Sequence, residues 1–123
     1  TGNTNSYQIC IHTGKFSAWA GQYIGSKLRQ TSNASVNTGS WVHVAFSREH
    51  VTGNHGNFRT YINGSKDAGP IYRHEKPFTG ALLYMGKAIT DANYYLNGAL
   101  DDLRIYDRVL SDAEVKALHD LGQ

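Results

Sequence analysis

Short runs of alternating apolar and polar residues, separated by turn-forming residues, most constrain how this chain can fold. Residues 7–12 place Tyr7, Ile9 and Ile11 on one face and polar or small side chains on the other. Turn signals interrupt such runs at Gly14-Lys15, Thr38-Gly39, Thr52-Gly53-Asn54, Asn63-Gly64, Gly69-Pro70 and Asn97-Gly98. A period of two with turns about every 8–12 residues is typical of an antiparallel sandwich or barrel.

The alternation predicts a set of short strands. They lie at residues 7–12, 16–20, 41–48, 58–63, 81–86 and 98–106. In the run at 58–63, Phe58, Thr60 and Ile62 share one face, so they are candidates for the core.

The C-terminal segment predicts one helix. Ser111 and Glu114 have the spacing of a capping box, and Leu110 and Val115 have that of a hydrophobic staple. Apolar side chains then recur three residues apart, at Val115, Leu118 and Leu121. Because so short a helix is marginal alone, we expect its apolar face to pack on the sheets.

Length, charge and cysteine content exclude several classes of protein and of site. The chain has 123 residues, which is enough for one domain. A net charge of +2 is too small to indicate a nucleic-acid partner, and no apolar run approaches the roughly 20 residues of a membrane span. Cys10 is the only cysteine, so we expect a structural thiol and neither a disulfide nor a cysteine zinc site. Residues 1–48 contain no Asp or Glu, so a hard-metal site must take carboxylates from the second half.

Three segments resemble laminin-G-like domains of the concanavalin A-like lectin/glucanase superfamily. Residues 39–45 are similar to that family's G-x-W-x-H-V-A strand, and residues 59–64 to the following hairpin strand. Residues 96–115 resemble its closing motif, which joins a strand, a turn and a capped helix. The family's Asp-Gly after the tyrosine strand is Asn63-Gly64 in this chain.

The resemblance implies an all-β fold, a two-sheet antiparallel jelly-roll sandwich with one short C-terminal helix. It implies that residues 1–123 are a single domain that lacks the family's N-terminal strands. We therefore expect a fragment of a longer chain, or a second copy that supplies those strands by exchange. Trp41 matches the family's structural tryptophan, which implies a core position.

Aromatic residues near turns are the candidate glycan contacts, because the C–H face of a sugar packs on a flat ring. The candidate ligand-binding residues are Trp19, Tyr23, Tyr72, Arg73, Tyr94 and Tyr95. His74 and Asn93 are further polar neighbours of these rings.

Asp101 is the candidate metal ligand, since the resemblance places it where some relatives bind calcium. Calcium needs several carboxylate or carbonyl oxygens, and the acid-free residues 1–48 supply no second carboxylate. The alternative is that Asp101 accepts backbone hydrogen bonds at a bend, while Asp102 pairs with Arg104 or Arg108. The histidines show no paired metal-ligand spacing.

The sequence therefore predicts a non-catalytic, lectin-like module of an extracellular or cell-surface multidomain protein, with a glycan or polysaccharide as its partner. One alternative is an assembly domain that self-associates or exchanges strands through open sheet edges. Another is a glycoside hydrolase fragment, which would need two carboxylates across a cleft. No motif of an enzyme active site is present in the sequence.

Overall fold

The computed structural model describes residues 6–21, 29–53, 55–74, 85–86 and 95–122. Two antiparallel three-stranded sheets and one helix make up its regular structure, which confirms the predicted all-β sandwich class. The first sheet has the order β1 (Ser6–His12), β2 (Lys15–Gly21), β3 (Arg29–Ser35). The second has the order β4 (Val44–Thr52), β5 (His55–Ile62), β6 (Ser65–His74), and helix α1 spans Asp112–Leu121.

Two tight hairpin turns set the registers of these sheets. Thr13 and Gly14 join β1 to β2, and Asn63 and Gly64 join β5 to β6. All four residues have positive φ, between 49° and 75°. Positive φ at both central residues is the geometry of a type I′ turn, whose twist matches that of the flanking strands. The Asn-Gly pair in the sequence therefore correctly predicts a hairpin.

The core lies where β3 of the first sheet packs against β5 and β6 of the second. Phe16 and Ala18 on β2 are buried, as are Phe58 and Thr60 on β5. Phe58 packs edge-to-face on Phe46, with ring centroids 5.3 Å apart. The interior is partly polar, since Ser17, Gln30, Ser32 and Thr60 are all nearly inaccessible to solvent.

Helix α1 lies on the opposite face of the second sheet. Because side chains alternate along a strand, Tyr61 points away from Phe58 and Thr60, and its hydroxyl lies 2.9 Å from Asp112 Oδ1. Lys66 Nζ donates to the other oxygen of Asp112 at 2.7 Å. Val115 is the helix residue buried in this contact, whereas Leu121 is 76% exposed, so only the first turns of the apolar face are covered.

The predicted capping box is present. The Glu114 N–H donates to Ser111 Oγ at 3.2 Å, and the Ser111 N–H donates to Glu114 Oε2 at 2.8 Å. Arg108 binds the same carboxylate through two nitrogens, at 3.1 and 2.7 Å. Hydrogen bonds from Arg108 and Ser111 lower the pKa of Glu114 to about 2, so this exposed cap remains ionised in mildly acidic solution.

Two expectations about the second sheet and the C-terminal segment are wrong. Trp41 is 72% exposed rather than in the core, because β4 begins at Val44 and residues 40–43 precede it. The predicted strand at 98–106 belongs to no sheet. Asp102 has φ of 53°, which interrupts an extended backbone there. Leu100, Leu103 and Ile105 are consequently 59–75% exposed.

Some predictions fall on residues outside the described ranges. The predicted strand at 81–86 has only residues 85–86 described. The expectation that the family's opening strands lie outside this chain, or come from a second copy, stays a prediction. Among the helices in the described ranges, none is long and apolar enough to cross a membrane.

Candidate functional site

The structure describes the predicted ligand-binding residues to different extents. Trp19 lies on β2 between Gln8 and Arg29, but only its backbone is described. Tyr72 and Arg73 lie on β6, and their side chains are likewise outside the described set. Tyr23 and Tyr94 fall outside the described residues. These five assignments therefore stay predictions.

Tyr95 and Asp101 are the predicted site residues with described side chains. Tyr95 is 65% exposed and precedes Leu96, whose N–H donates to Gly86 O at 2.8 Å. Asp101 Oδ1 accepts the N–H of Asp102 at 2.8 Å, which is the local hydrogen bond expected at a bend. Among the described residues, no group of three or more His, Cys, Asp or Glu side chains could hold a metal ion. Calcium binding at Asp101 stays a prediction.

The predicted pairing of Asp102 is confirmed. Arg104 Nε and a terminal nitrogen donate to its two carboxylate oxygens at 3.1 and 2.9 Å. Both side chains are well exposed, so solvent screening leaves this pair little effect on stability. It is a surface feature of the 98–106 segment and forms no pocket.

A groove with a volume of about 530 Å³ lies between β3 and β6. β3 and β6 are each the outer strand of their sheet, so the groove runs along two sheet edges. Its principal lining side chains are Arg29, Gln30, Thr31, Asn33, Asp67 and Ile71. A volume within the range of ligand pockets and several convergent polar groups make this groove the candidate binding site.

Asp67 joins the two walls of the groove. One carboxylate oxygen accepts the N–H of Ala34 at 3.0 Å, and the other accepts the N–H of Asn33. The Asn33 side-chain amide donates back to the Asp67 carbonyl oxygen at 2.7 Å. An inward-pointing carboxylate thus occupies main-chain donors that an edge strand would otherwise expose, and it sets the spacing of β3 from β6.

Gln30 lies in the floor of the groove and has an unpartnered acceptor. The residue is 1% exposed, and its Nε2 donates to Thr31 O at 3.2 Å. Its Oε1 is buried, and no donor in the described part of the chain reaches it. A buried acceptor without a partner costs roughly 1–3 kcal/mol, and this cost falls on the closed polar interior beside the groove.

Arg29 provides the positive charge of the groove and is half-buried at its rim. Within the described ranges, no carboxylate forms an ion pair with it. Its charge also acts across the first sheet on Cys10, where burial raises the pKa of the thiol and Arg29 opposes that rise. A raised pKa keeps Cys10 protonated at neutral pH, which agrees with the predicted structural thiol.

The groove residues were not among the sequence candidates. Their two strands were not predicted either, because β3 reads Arg-Gln-Thr-Ser-Asn-Ala-Ser and β6 contains Gly69-Pro70. The available signal was a polar alternation in β3, where Gln30 and Ser32 are buried while Asn33 and Ser35 are exposed or nearly so. A search for apolar periodicity does not detect such a strand.

A second feature, the pair of His43 and His119, joins the last turn of α1 to the second sheet. The two rings meet edge-on, with centroids 5.6 Å apart. The His43 N–H donates to Asn63 Oδ1 at 3.1 Å, while its ring Nδ1 is buried with no partner in the described ranges. Burial, then the charges of His119 and Arg104, lower the pKa of His43, and Asp102 partly opposes them.

Acidification is expected to destabilise the fold through His43. Its folded-state pKa lies below the ordinary value of 6.5, so the unfolded chain takes up the proton first as pH falls. Stability from this group is full above about pH 7.5 and declines as pH falls through 6.5. Urea unfolding at pH 7.5, 6.0 and 5.0 measures the decline, and His43→Gln should reduce it.

The exposed His12 supplies the matched control. In the described part of the chain, the hydrogen-bond contact of its ring is with the neighbouring Thr13 hydroxyl, at 3.4 Å. His12→Gln should therefore retain the pH dependence of the parent chain. An identical pH dependence in His43→Gln and His12→Gln would show that the buried imidazole is not responsible.

Comparisons with known proteins find a matching family model and a similar solved structure, and each covers nearly the whole chain. A laminin-G-like family model, described as the concanavalin A-like lectin/glucanases superfamily, matches residues 1–116. A crystal structure of part of an S-layer domain-containing protein from Clostridium thermocellum ATCC 27405 is similar, with 28% sequence identity and a TM-score of 0.54. The match covers 96% of this chain and 58% of that one, so this chain spans under two thirds of its length. No curated protein matches the sequence.

Proposed function

Because this chain belongs to the concanavalin A-like lectin/glucanase superfamily, we propose that it is a non-catalytic glycan-binding module of a cell-surface protein. The observation that carries the proposal is the polar groove between β3 and β6. Asp67 links its two walls by hydrogen bonds, and most of its lining side chains are polar. Saccharides present many hydroxyl donors, which suit such a lining better than an apolar ligand would.

The lack of a catalytic carboxylate pair in the groove supports a binding role. Hydrolysis of a glycosidic bond uses two carboxyl groups on either side of the bond. Asp67 is the acid in the described lining, and both of its oxygens already accept main-chain N–H groups. This acid therefore serves the architecture of the groove rather than proton transfer.

The surface location is proposed from the structural relative. The Clostridium thermocellum protein is S-layer domain-containing and shares 28% identity with this chain. By that analogy, the module lies outside the cell and belongs to a larger protein. Additional glycan contacts are proposed for the exposed Tyr95 and for the aromatic set predicted from sequence (Trp19, Tyr23, Tyr72, Tyr94 and the neighbouring Arg73). Calcium at Asp101 is a further proposal.

Filling the groove tests the proposal. Ala68 lines the groove and is half-buried, so Ala68→Phe would occupy the space that a sugar needs. We expect glycan affinity on a polysaccharide array to fall at least tenfold, which corresponds to about 1.4 kcal/mol of binding free energy. Circular dichroism and the unfolding midpoint confirm that the variant is folded.

Ala113→Phe is the matched control because Ala113 is exposed on α1, on the other face of the second sheet. It should bind glycans as the parent chain does. Equal binding by both variants would place the sugar site elsewhere. Failure of the parent chain to bind any polysaccharide would reject the glycan-binding function.

A second candidate function is supported by the exposed apolar row of the 98–106 segment. Leu100, Leu103 and Ile105 are all more than half exposed within six consecutive residues, which is unusual for the surface of a monomer. An assembly role predicts concentration-dependent association in light scattering, and Ile105→Lys should reduce it. A monomer at every concentration would count against this role.

A further inference from the structure

We propose that the groove between β3 and β6 selects saccharides that carry a carboxylate, such as uronic acids, with Arg29 binding that group. The inference deepens the proposed function and depends on it. It rests on the charge distribution around the groove, on the engagement of Asp67, and on the position of Arg29 in the lining.

The wall formed by the first sheet is positively charged. No Asp or Glu occurs in residues 1–48, which include all three strands of that sheet. Its strands carry Lys15 and Arg29, and Arg29 lines the groove. Any neutralising carboxylate must therefore come from the second sheet, from another part of the chain or from a ligand.

The second sheet does not neutralise Arg29 through the acid that lines the groove. Asp67 lies in the opposite wall, but its two oxygens accept the N–H groups of Asn33 and Ala34. A carboxylate held in this way is oriented toward the β3 backbone at Asn33 and Ala34. These residues lie four and five positions along the strand from Arg29. Among the described residues, no other acid lines the groove. Within the described lining, the guanidinium of Arg29 therefore has no carboxylate partner and can bind an anion.

A planar carboxylate fits this cation well. A guanidinium presents a rigid fork of N–H donors that binds both oxygens of a carboxylate at once. Half-burial of Arg29 strengthens the contact, because screening is weaker there than at a fully exposed site. Thr31, two residues further along the same face of β3, adds a hydroxyl group to the groove lining. Together they match a sugar ring that has one carboxylate and adjacent hydroxyl groups.

Paired polysaccharides provide the test on the whole chain. The probes are polygalacturonate, alginate and hyaluronan, each alongside its carboxyl-reduced form, with a sulfated galactan as a separate anion. We expect binding to at least one uronate polymer, about 10–100-fold weaker binding to its reduced form, and a similar loss in Arg29→Gln. A 10–100-fold loss of affinity is the size expected when hydrogen bonds to a charged group are removed. Arg104→Gln removes the same charge outside the groove and should bind as the parent does.

The outcomes separate this inference from the function beneath it. Equal binding of uronate and reduced polymers, with no effect of Arg29→Gln, would overturn the carboxylate assignment and leave glycan binding standing. Preference for the sulfated galactan over every uronate would also overturn it. If no polysaccharide binds, the proposed function fails and the inference fails with it. Arg29→Lys keeps the charge without the fork, so a partial recovery of uronate binding would support the bidentate contact.

Discussion

Replacing Phe58 by alanine is expected to lower the free energy of unfolding by about 3–5 kcal/mol. The Phe58 side chain is 0% exposed and lies between the two sheets. Truncation removes its contact with Phe46, at 5.3 Å between ring centroids, and leaves a cavity that the β-sheet backbone cannot close. Urea unfolding followed by tryptophan fluorescence measures the loss.

Trp41→Ala is the informative comparison, because the family resemblance assigned this residue to the core. Trp41 is 72% exposed, so we expect its loss to change stability by about 0.5 kcal/mol or less. If Phe58→Ala fails to fold, Phe58→Leu should remain folded with a loss of under about 1.5 kcal/mol. A larger loss from Trp41→Ala than from Phe58→Leu would show that the core is not where the structure places it.

Replacing Gly69 by alanine is expected to cost about 3 kcal/mol or more, through strain added to steric overlap. Gly69 has φ of 95°, a conformation that side-chain-bearing residues rarely adopt. An added Cβ would lie 2.2 Å from Phe58 O and 3.0 Å from Arg59 Cα. Since both neighbours are backbone atoms of β5, relief requires β6 to move away from β5, which would also deform the groove.

Gly39→Ala separates the two contributions. Gly39 also has positive φ, at 74°, but an added Cβ there meets nothing within 4 Å. We expect a loss of about 1–2 kcal/mol from strain alone. Thermal unfolding of both variants provides the comparison, and equal losses would show that the approach of β6 to β5 is looser than the structure indicates.

Local features of the fold could be predicted from sequence because their causes are local. The Ser111–Glu114 capping box and the Asn63-Gly64 turn each depend on residues within a few positions of one another. Strands β1 and β2 are predicted to within one residue at each end, and β5 over its last five residues, since each carries an alternating apolar pattern. For these strands and turns, residues that are close together in the sequence are enough to indicate where the element lies.

The errors arise where pairing between distant segments decides the structure. β3 is recognisable as a strand only through its pairing with β2, because its buried side chains include Gln30 and Ser32. The residues at 98–106 alternate as in a strand, but this alternation does not show whether a second strand lies beside them to pair with. Asp102 also leaves the extended conformation. The groove could not be predicted for the same reason, since Asn33 and Asp67 meet only after both sheets have formed.

The link from Asp67 to the β3 backbone has a kinetic consequence. Because the carboxylate already fixes the separation of the two walls, a ligand enters a groove that needs little rearrangement and loses little conformational entropy there. Encounter with a rigid, open site is then limited mainly by diffusion and orientation. Ligands of different affinity should therefore associate at similar rates and differ chiefly in residence time. Where many copies stand side by side on a surface, brief individual contacts would then combine into a lasting attachment.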